Sequence, residues 1–190
     1  MRSVVTFVEQ EQGKTRRIGA EMCTKGAELA AALGGASTAV VLGKGASAAA
    51  AALKETPVDA IAVGEDVPVE SFLVDPAVDA IEAVLRQEGP SLALFPASNA
   101  GKDVAARIAV RLGAGVITEA TDITVADGAV VVQSPKFGGT VVSTIAFKNS
   151  EYGVVVCRPN SFPARKQPGK GATSTLPSPA SKTYPAAILE

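Results

Sequence analysis

The stretch Ala97-Ser98-Asn99-Ala100-Gly101-Lys102-Asp103 sets a hydroxyl, a carboxamide, a glycine and an ammonium group directly after the apolar run Leu92–Pro96 and directly before a segment of helical period. A helix opening at the carboxyl end of a buried strand offers unpaired backbone N–H groups, and with Lys102 beside them they suit a phosphate or another anion. A plainer role fits the same residues, with Ser98 or Asn99 capping the helix. The Walker spacing is absent, so the phosphate signal rests on placement and not on a motif. In an alternative reading as a free-standing nucleotide-binding protein, Ser98, Asn99, Gly101 and Lys102 hold the phosphate of AMP or ATP and Glu9, which closes the first apolar run Ser3–Glu9, lies near the adenosine.

Within the same helix Asp103, Arg107 and Arg111 recur at i, i+4 and i+8, which stacks one carboxylate and two guanidinium groups on one stripe. The stripe is either a solvated face or a partner surface, because planar multidentate donors are enriched at interfaces. Arg158-Pro159-Asn160-Ser161-Phe162-Pro163 ends the last apolar run with an arginine, two prolines and a phenylalanine expected to be exposed, a stiff peptide suited to holding a crossing. Arg107, Arg111, Arg158 and Phe162 are therefore the candidate interface residues.

Other chemistry is narrowed by what the chain contains. There is no histidine in 190 residues, which removes Ser–His–Asp, Cys–His and histidine-ligated zinc sites. Cys23 and Cys157 are far apart in apolar surroundings and read as small buried residues, so no metal site is assigned. Glu65-Asp66 beside Pro68 reads as a solvated turn, and no catalytic residue is assigned. Net charge is −1, which gives no broad field for nucleic acid or an anionic membrane. No apolar run approaches the roughly 20 residues of a membrane span, and Met1 leads straight into a strand, so the cytoplasm is the expected location.

The elements that must position these residues follow from periodicity. Short Val/Ile/Leu/Ala runs at Ser3–Glu9, Thr38–Leu42, Asp59–Gly64 and Leu92–Pro96 alternate with helical segments at Ile18–Leu33, Ala46–Lys54, Asp75–Glu88 and Ala100–Leu112. That alternation predicts a parallel sheet flanked by helices, with Gly34-Gly35 stopping the first helix and Asp75-Pro76 opening the third as N-cap and N1. Unbroken apolar character in Val40–Leu42 and Leu92–Phe95 places those strands centrally. Gly115–Thr118 is a fifth strand. Beyond it Ile123–Val125, Ala129–Gln133, Val141–Phe147 and Gly153–Arg158 follow one another across turns such as Asp127-Gly128 and Gly138-Gly139, which predicts a C-terminal antiparallel portion. Residues 1–160 are expected to form the α/β domain. Residues 161–190, rich in proline, serine and lysine, are expected to be an extended linker or arm resting on another surface.

The block from Leu94 through Gly115, with Phe95-Pro96-Ala97-Ser98-Asn99-Ala100-Gly101-Lys102-Asp103 at its head, resembles the fourth strand and fourth helix of electron transfer flavoprotein alpha subunits. Pro135-Lys136-Phe137-Gly138-Gly139 and Arg158-Pro159-Asn160-Ser161-Phe162-Pro163 match the same family in the same order, so the resemblance spans roughly Val4 to Pro163. It implies an adenine-nucleotide-binding-like three-layer fold. It also implies an N-terminal docking domain that supports electron transfer with a beta-type subunit, while a second domain holds FAD. No Ser-Gly-Gly-Arg-Gly flavin run is present, and Ser134 stands where the family usually has arginine. The resemblance thus implies FAD in the complete complex and not in this chain, and a heterodimer with a beta-type subunit, with a homo-oligomer open to the isolated chain. The alternative is a stand-alone protein binding AMP or ATP.

Overall fold

The computed structural model describes residues 1–69, 74–89, 91–148, 150–177 and 184. Seven parallel strands form the main sheet in the order β12-β5-β4-β1-β6-β11-β7. They are β1 (Ser3–Val8), β4 (Ser37–Leu42), β5 (Ala60–Gly64), β6 (Ser91–Pro96), β7 (Gly115–Ala120), β11 (Gly153–Cys157) and β12 (Ala172–Thr175). Strands β4 and β6 lie on either side of β1 and are buried along their whole length, as their unbroken apolar runs require.

The helices are α1 (Arg17–Leu33), α2 (Ala46–Leu53), α3 (Val74–Glu88) and α4 (Asn99–Leu112). On one face α3 and α4 set Val78, Ile81, Leu85, Val104 and Ile108 against Val5, Val40, Phe95 and Val156 of the sheet. On the other, α1 buries Ile18, Met22 and Leu29 against Val4, Leu92, Leu94 and Val155, and alanine-rich α2 lies on Val41, Ile61 and Val63. The parallel sheet flanked by helices expected from the alternation, and the three layers implied by the resemblance, are what the chain adopts. Gly34, at φ 70°, ends α1 while Gly35 donates its N–H to the Ala30 carbonyl at 2.9 Å, the expected glycine C-cap.

Several expectations are corrected. Gly153–Cys157 is not antiparallel; as β11 it inserts between β6 and β7, parallel to both. Its residues are buried throughout, as an interior strand with both sheet faces covered requires of a valine run. The antiparallel portion is a separate sheet of β8 (Asp122–Ala126), β9 (Ala129–Lys136) and β10 (Val141–Ala146), whose Ile123, Val130 and Val132 share the core of α1. Helix α3 begins at Val74, so Asp75 and Pro76 sit in its first turn and not at its cap. The loop expected at Glu11–Arg17 contains a small hairpin, β2 (Gln10–Glu11) with β3 (Lys14–Thr15).

Phe162 is buried beside α1, with the Lys25 ammonium 5.6 Å above its ring, so the expectation of an exposed phenylalanine fails. Residues 158–176 form a strap over this chain's own surface. Asn160 N–H donates to the buried Glu21 carboxylate at 3.0 Å, Arg165 N–H to the Thr24 hydroxyl at 3.1 Å, and Gly169 N–H to the Thr56 carbonyl at 3.0 Å. The strap then adds β12 to the edge at β5. Backbone hydrogen bonds hold it, supplying what its sparse apolar area does not. The end of the arm, 178–183 and 185–190, lies outside the described residues.

Candidate functional site: the crevice at the sheet's switch point

From β1 the chain steps to β4 on one side and later returns to β6 on the other, so the crevice outside the carboxyl ends of β1 and β6 is a topological switch point. A cavity of about 360 Å³ opens there, lined by Phe7, Leu42, Val69 and Val104 as apolar walls and by Glu9, Glu11 and Arg16 at polar positions. Phe7 and Phe95 meet at 6.0 Å beneath it.

Two of the sequence candidates meet in this crevice. Glu9, one residue beyond β1, accepts the Ser98 hydroxyl proton through Oε1. The Ser98 Oγ in turn accepts the Gly101 N–H at 2.9 Å and so caps α4. Glu9 Oε2 is shielded from solvent and has no hydrogen-bond partner among the described residues. The carboxylate thus sits close to the amino end of α4, where the helix dipole favours negative charge.

The other candidates point elsewhere. The Lys102 ammonium reaches Glu119 at 3.3 Å, and Asp103 is paired with Arg107 at 3.2 Å. Asn99 opens α4 on its exposed side. Gly101 is explained by packing: a Cβ there would lie 2.2 Å from the Pro96 carbonyl oxygen. Arg107 also contacts Asp75 at 2.9 Å, and Arg111 holds Asp79 at 2.6 Å and Glu82 at 2.9 Å. The stripe is therefore engaged within the chain as a clasp between α3 and α4, and these carboxylates raise both guanidinium pKa values further. Arg158 is exposed, with its N–H given to the Ala120 carbonyl.

Sequence reasoning passed over Gln10 and Glu21 and missed what the Glu65 carboxylate binds. The Gln10 carboxamide donates to the Leu42 and Lys44 carbonyls and accepts the Gly13 N–H, fixing the rim. Glu65 lies in a turn, as expected, and its carboxylate also accepts the N–H groups of Ser47 and Gly45 at 2.7 and 2.6 Å, bonds that hold its pKa below the usual range. Neither role leaves a local signal, since the partners are distant in sequence. Glu21 did leave one: a carboxylate three residues after Ile18 lies on the buried stripe of α1. Ser134 is buried as well, its hydroxyl donating to the Thr118 carbonyl at 2.7 Å.

The electron transfer flavoprotein domain model matches residues 4–181. The chain belongs to this family. An electron transfer flavoprotein subunit alpha of Mycobacterium tuberculosis (strain ATCC 25618 / H37Rv) is 31% identical over 182 residues, covering 95% of this chain and 54% of the relative. Protein FixB of Rhizobium meliloti is 31% identical over 76% of this chain and 42% of its own length. The lactate dehydrogenase (NAD(+),ferredoxin) subunit LctC of Acetobacterium woodii is 27% identical over 78% of this chain and 36% of its own. The chain spans about half the length, or less, of these curated relatives. Within the family, the chain is similar to subunit alpha and FixB members. No described helix is long and apolar enough to cross a membrane, and no cluster of metal-ligating side chains occurs among the described residues.

Proposed function

We propose that this chain is the docking domain of an electron transfer flavoprotein alpha-type subunit, acting in the cytoplasm as a carrier component, seating against a beta-type subunit while FAD is held by another segment or subunit. The observation that carries the reading is the free end of the β9–β10 hairpin. Phe137 is 86% exposed, and Val141 and Val142 are 48% and 56% exposed. Adjacent residues of a strand point to opposite faces, so exposure of both valines means that the hairpin stands clear of the body on both sides. Apolar residues on both faces of a projecting element suit insertion against a partner. Arg158, exposed at the end of β11, is kept in this reading as a candidate cation for the contact.

In this reading the FAD implied by the family is not seated in the crevice. Its volume lies at the low end of the roughly 300–1,000 Å³ usual for ligand sites. The Glu9 and Glu11 carboxylates on its wall would also face the cofactor's pyrophosphate. Co-expression with a beta-type subunit followed by size-exclusion chromatography is expected to give a joint peak. Separate elution across salt concentrations, or a homo-oligomer that excludes the beta-type chain, would count against the reading.

A further inference from the structure

An open strand edge presents unpaired N–H and C=O groups, and folds guard such edges with charge, proline, bulges or short length. Among the described residues, the outer strands of the two larger sheets are β12, β7, β8 and β10, and all but the last are guarded. β12 is four residues long, and β7 begins at Gly115 and is broken by Glu119 at φ 57°. β8 begins at Asp122, whose carboxylate takes the Ile123 N–H at 2.8 Å and lies 3.5 Å from the Lys25 ammonium. β10 pairs with β9 over six residues without a register shift, and from Val141 to Ala146 it holds no charge, proline or glycine. Its Val142, Thr144 and Ala146 are exposed.

The ladder fixes which backbone groups face the open side. The Gln133 carbonyl accepts the Thr121 N–H at 2.9 Å, so Gln133 turns its backbone groups towards β8 and away from β10. Its cross-strand pair Thr144, with Val142 and Ala146 two residues to either side, therefore turns its N–H and C=O outward. Pro135, opposite Val142, has no N–H to give and agrees with this phase. Set antiparallel to itself about Thr144, the edge pairs Val142 with Ala146 of a second copy and Ala146 with its Val142, so each outward group finds a partner. Thr144 then meets Thr144, Val141 meets Phe147, and no like charges stand opposite one another. The hairpin's tip end carries Lys136, across from Val141, while the other end carries Asp127, Lys148 and Glu151. The antiparallel arrangement brings the positive end of one copy beside the net negative end of the other, and its two-fold symmetry closes the assembly at two.

We propose that β10 is a strand-addition edge at which two copies of this chain pair antiparallel about Thr144, joining their three-stranded sheets into one. This goes beyond the docking reading: the hairpin assigned there to a beta-type subunit takes a second copy when that subunit is absent.

Sedimentation velocity of the full chain from about 1 to about 500 µM is expected to show monomer at the low end and dimer at the high end, as suits a contact this small. Amide exchange read residue by residue by NMR is expected to slow with concentration at Val142, Thr144 and Ala146 more than at Ser143 and Ile145, whose amides already face β9. Thr144→Lys sets two like charges opposite each other on the two-fold axis and is expected to weaken the dimer roughly tenfold or more, while Thr144→Val is expected to keep it. A monomer at the highest concentration, a dimer that leaves the three outward amides unchanged, or one indifferent to Thr144→Lys would each overturn the proposal. Titration with a beta-type subunit reads the docking role separately. A chain that dimerises and never binds that subunit fails only the docking reading, and one that binds it and never dimerises fails only this one.

Discussion

Glu65 shows how a single carboxylate acts when its partners are backbone groups. It binds the Ser47 and Gly45 N–H groups at the opening of α2, a helix whose N-cap, Gly45, offers no side chain of its own. Because these bonds lower its folded pKa, its contribution is fully present above the unfolded value near about 4.3 and is lost as pH falls through the lower folded value. Glu65→Gln is therefore expected to cost about 0.3–1 kcal/mol at neutral pH, with the difference from wild type shrinking below about pH 4. Thermal melts at pH 7 and pH 3 read this directly, and an equal difference at both would refute it. The cysteines follow the opposite logic. Burial pushes the Cys23 thiol up to about 12, against a weaker opposing hydrogen bond to Thr56, and burial likewise pushes Cys157 up. Neither is expected to react with a thiol reagent until denaturant is added, since the thiolate is the nucleophile. Labelling of either in the folded chain would contradict that placement.

Among the elements, the strap is the least legible from composition and the most dependent on one residue. Gly169 passes so close to the Pro57–Val58 peptide that a Cβ would lie 2.1 Å from the Val58 carbonyl oxygen. Neither partner is the far end of a flexible side chain, so the backbone itself must move. Gly169→Ala is expected to destabilise by about 1–3 kcal/mol and to speed hydrogen exchange of the amides of Gly171 and Ala172, which bond the Val58 and Asp59 carbonyls. Unchanged exchange there would show that the strap is not seated by this approach. Asp59 ties the same corner together. Burial raises its pKa, but the Ser37 N–H and hydroxyl, with Lys170, more than offset this and hold it low. Nothing in the Pro/Ser/Lys-rich stretch announces a strand, because β12 is fully exposed and gains its place from the open edge of β5.

At the scale of the whole molecule, the docking role predicts a separation between stability and association. Phe137→Asp combined with Val142→Asp removes apolar area that the isolated chain leaves in water, so its melting temperature is expected to hold. The joint peak with a beta-type subunit is expected to diminish or vanish, read by size-exclusion and light scattering on the same samples. A variant that still associates fully would place the partner on another face. Such a surface carries no cost to this domain, whose core lies in the sheet and its two covering layers. The alternation of apolar runs with helical segments, the glycine C-cap at Gly34 and the central position of β4 and β6 were all decided by the sequence, since period, caps and continuous hydrophobicity are local properties. The insertion of β11 between β6 and β7, the burial of Phe162, the carboxylate of Glu9 on Ser98 and the closing of Arg107 and Arg111 onto α3 were decided only by tertiary structure. Each joins residues far apart along the chain, and no local pattern records which open edge, buried slot or opposite charge the fold will bring within reach.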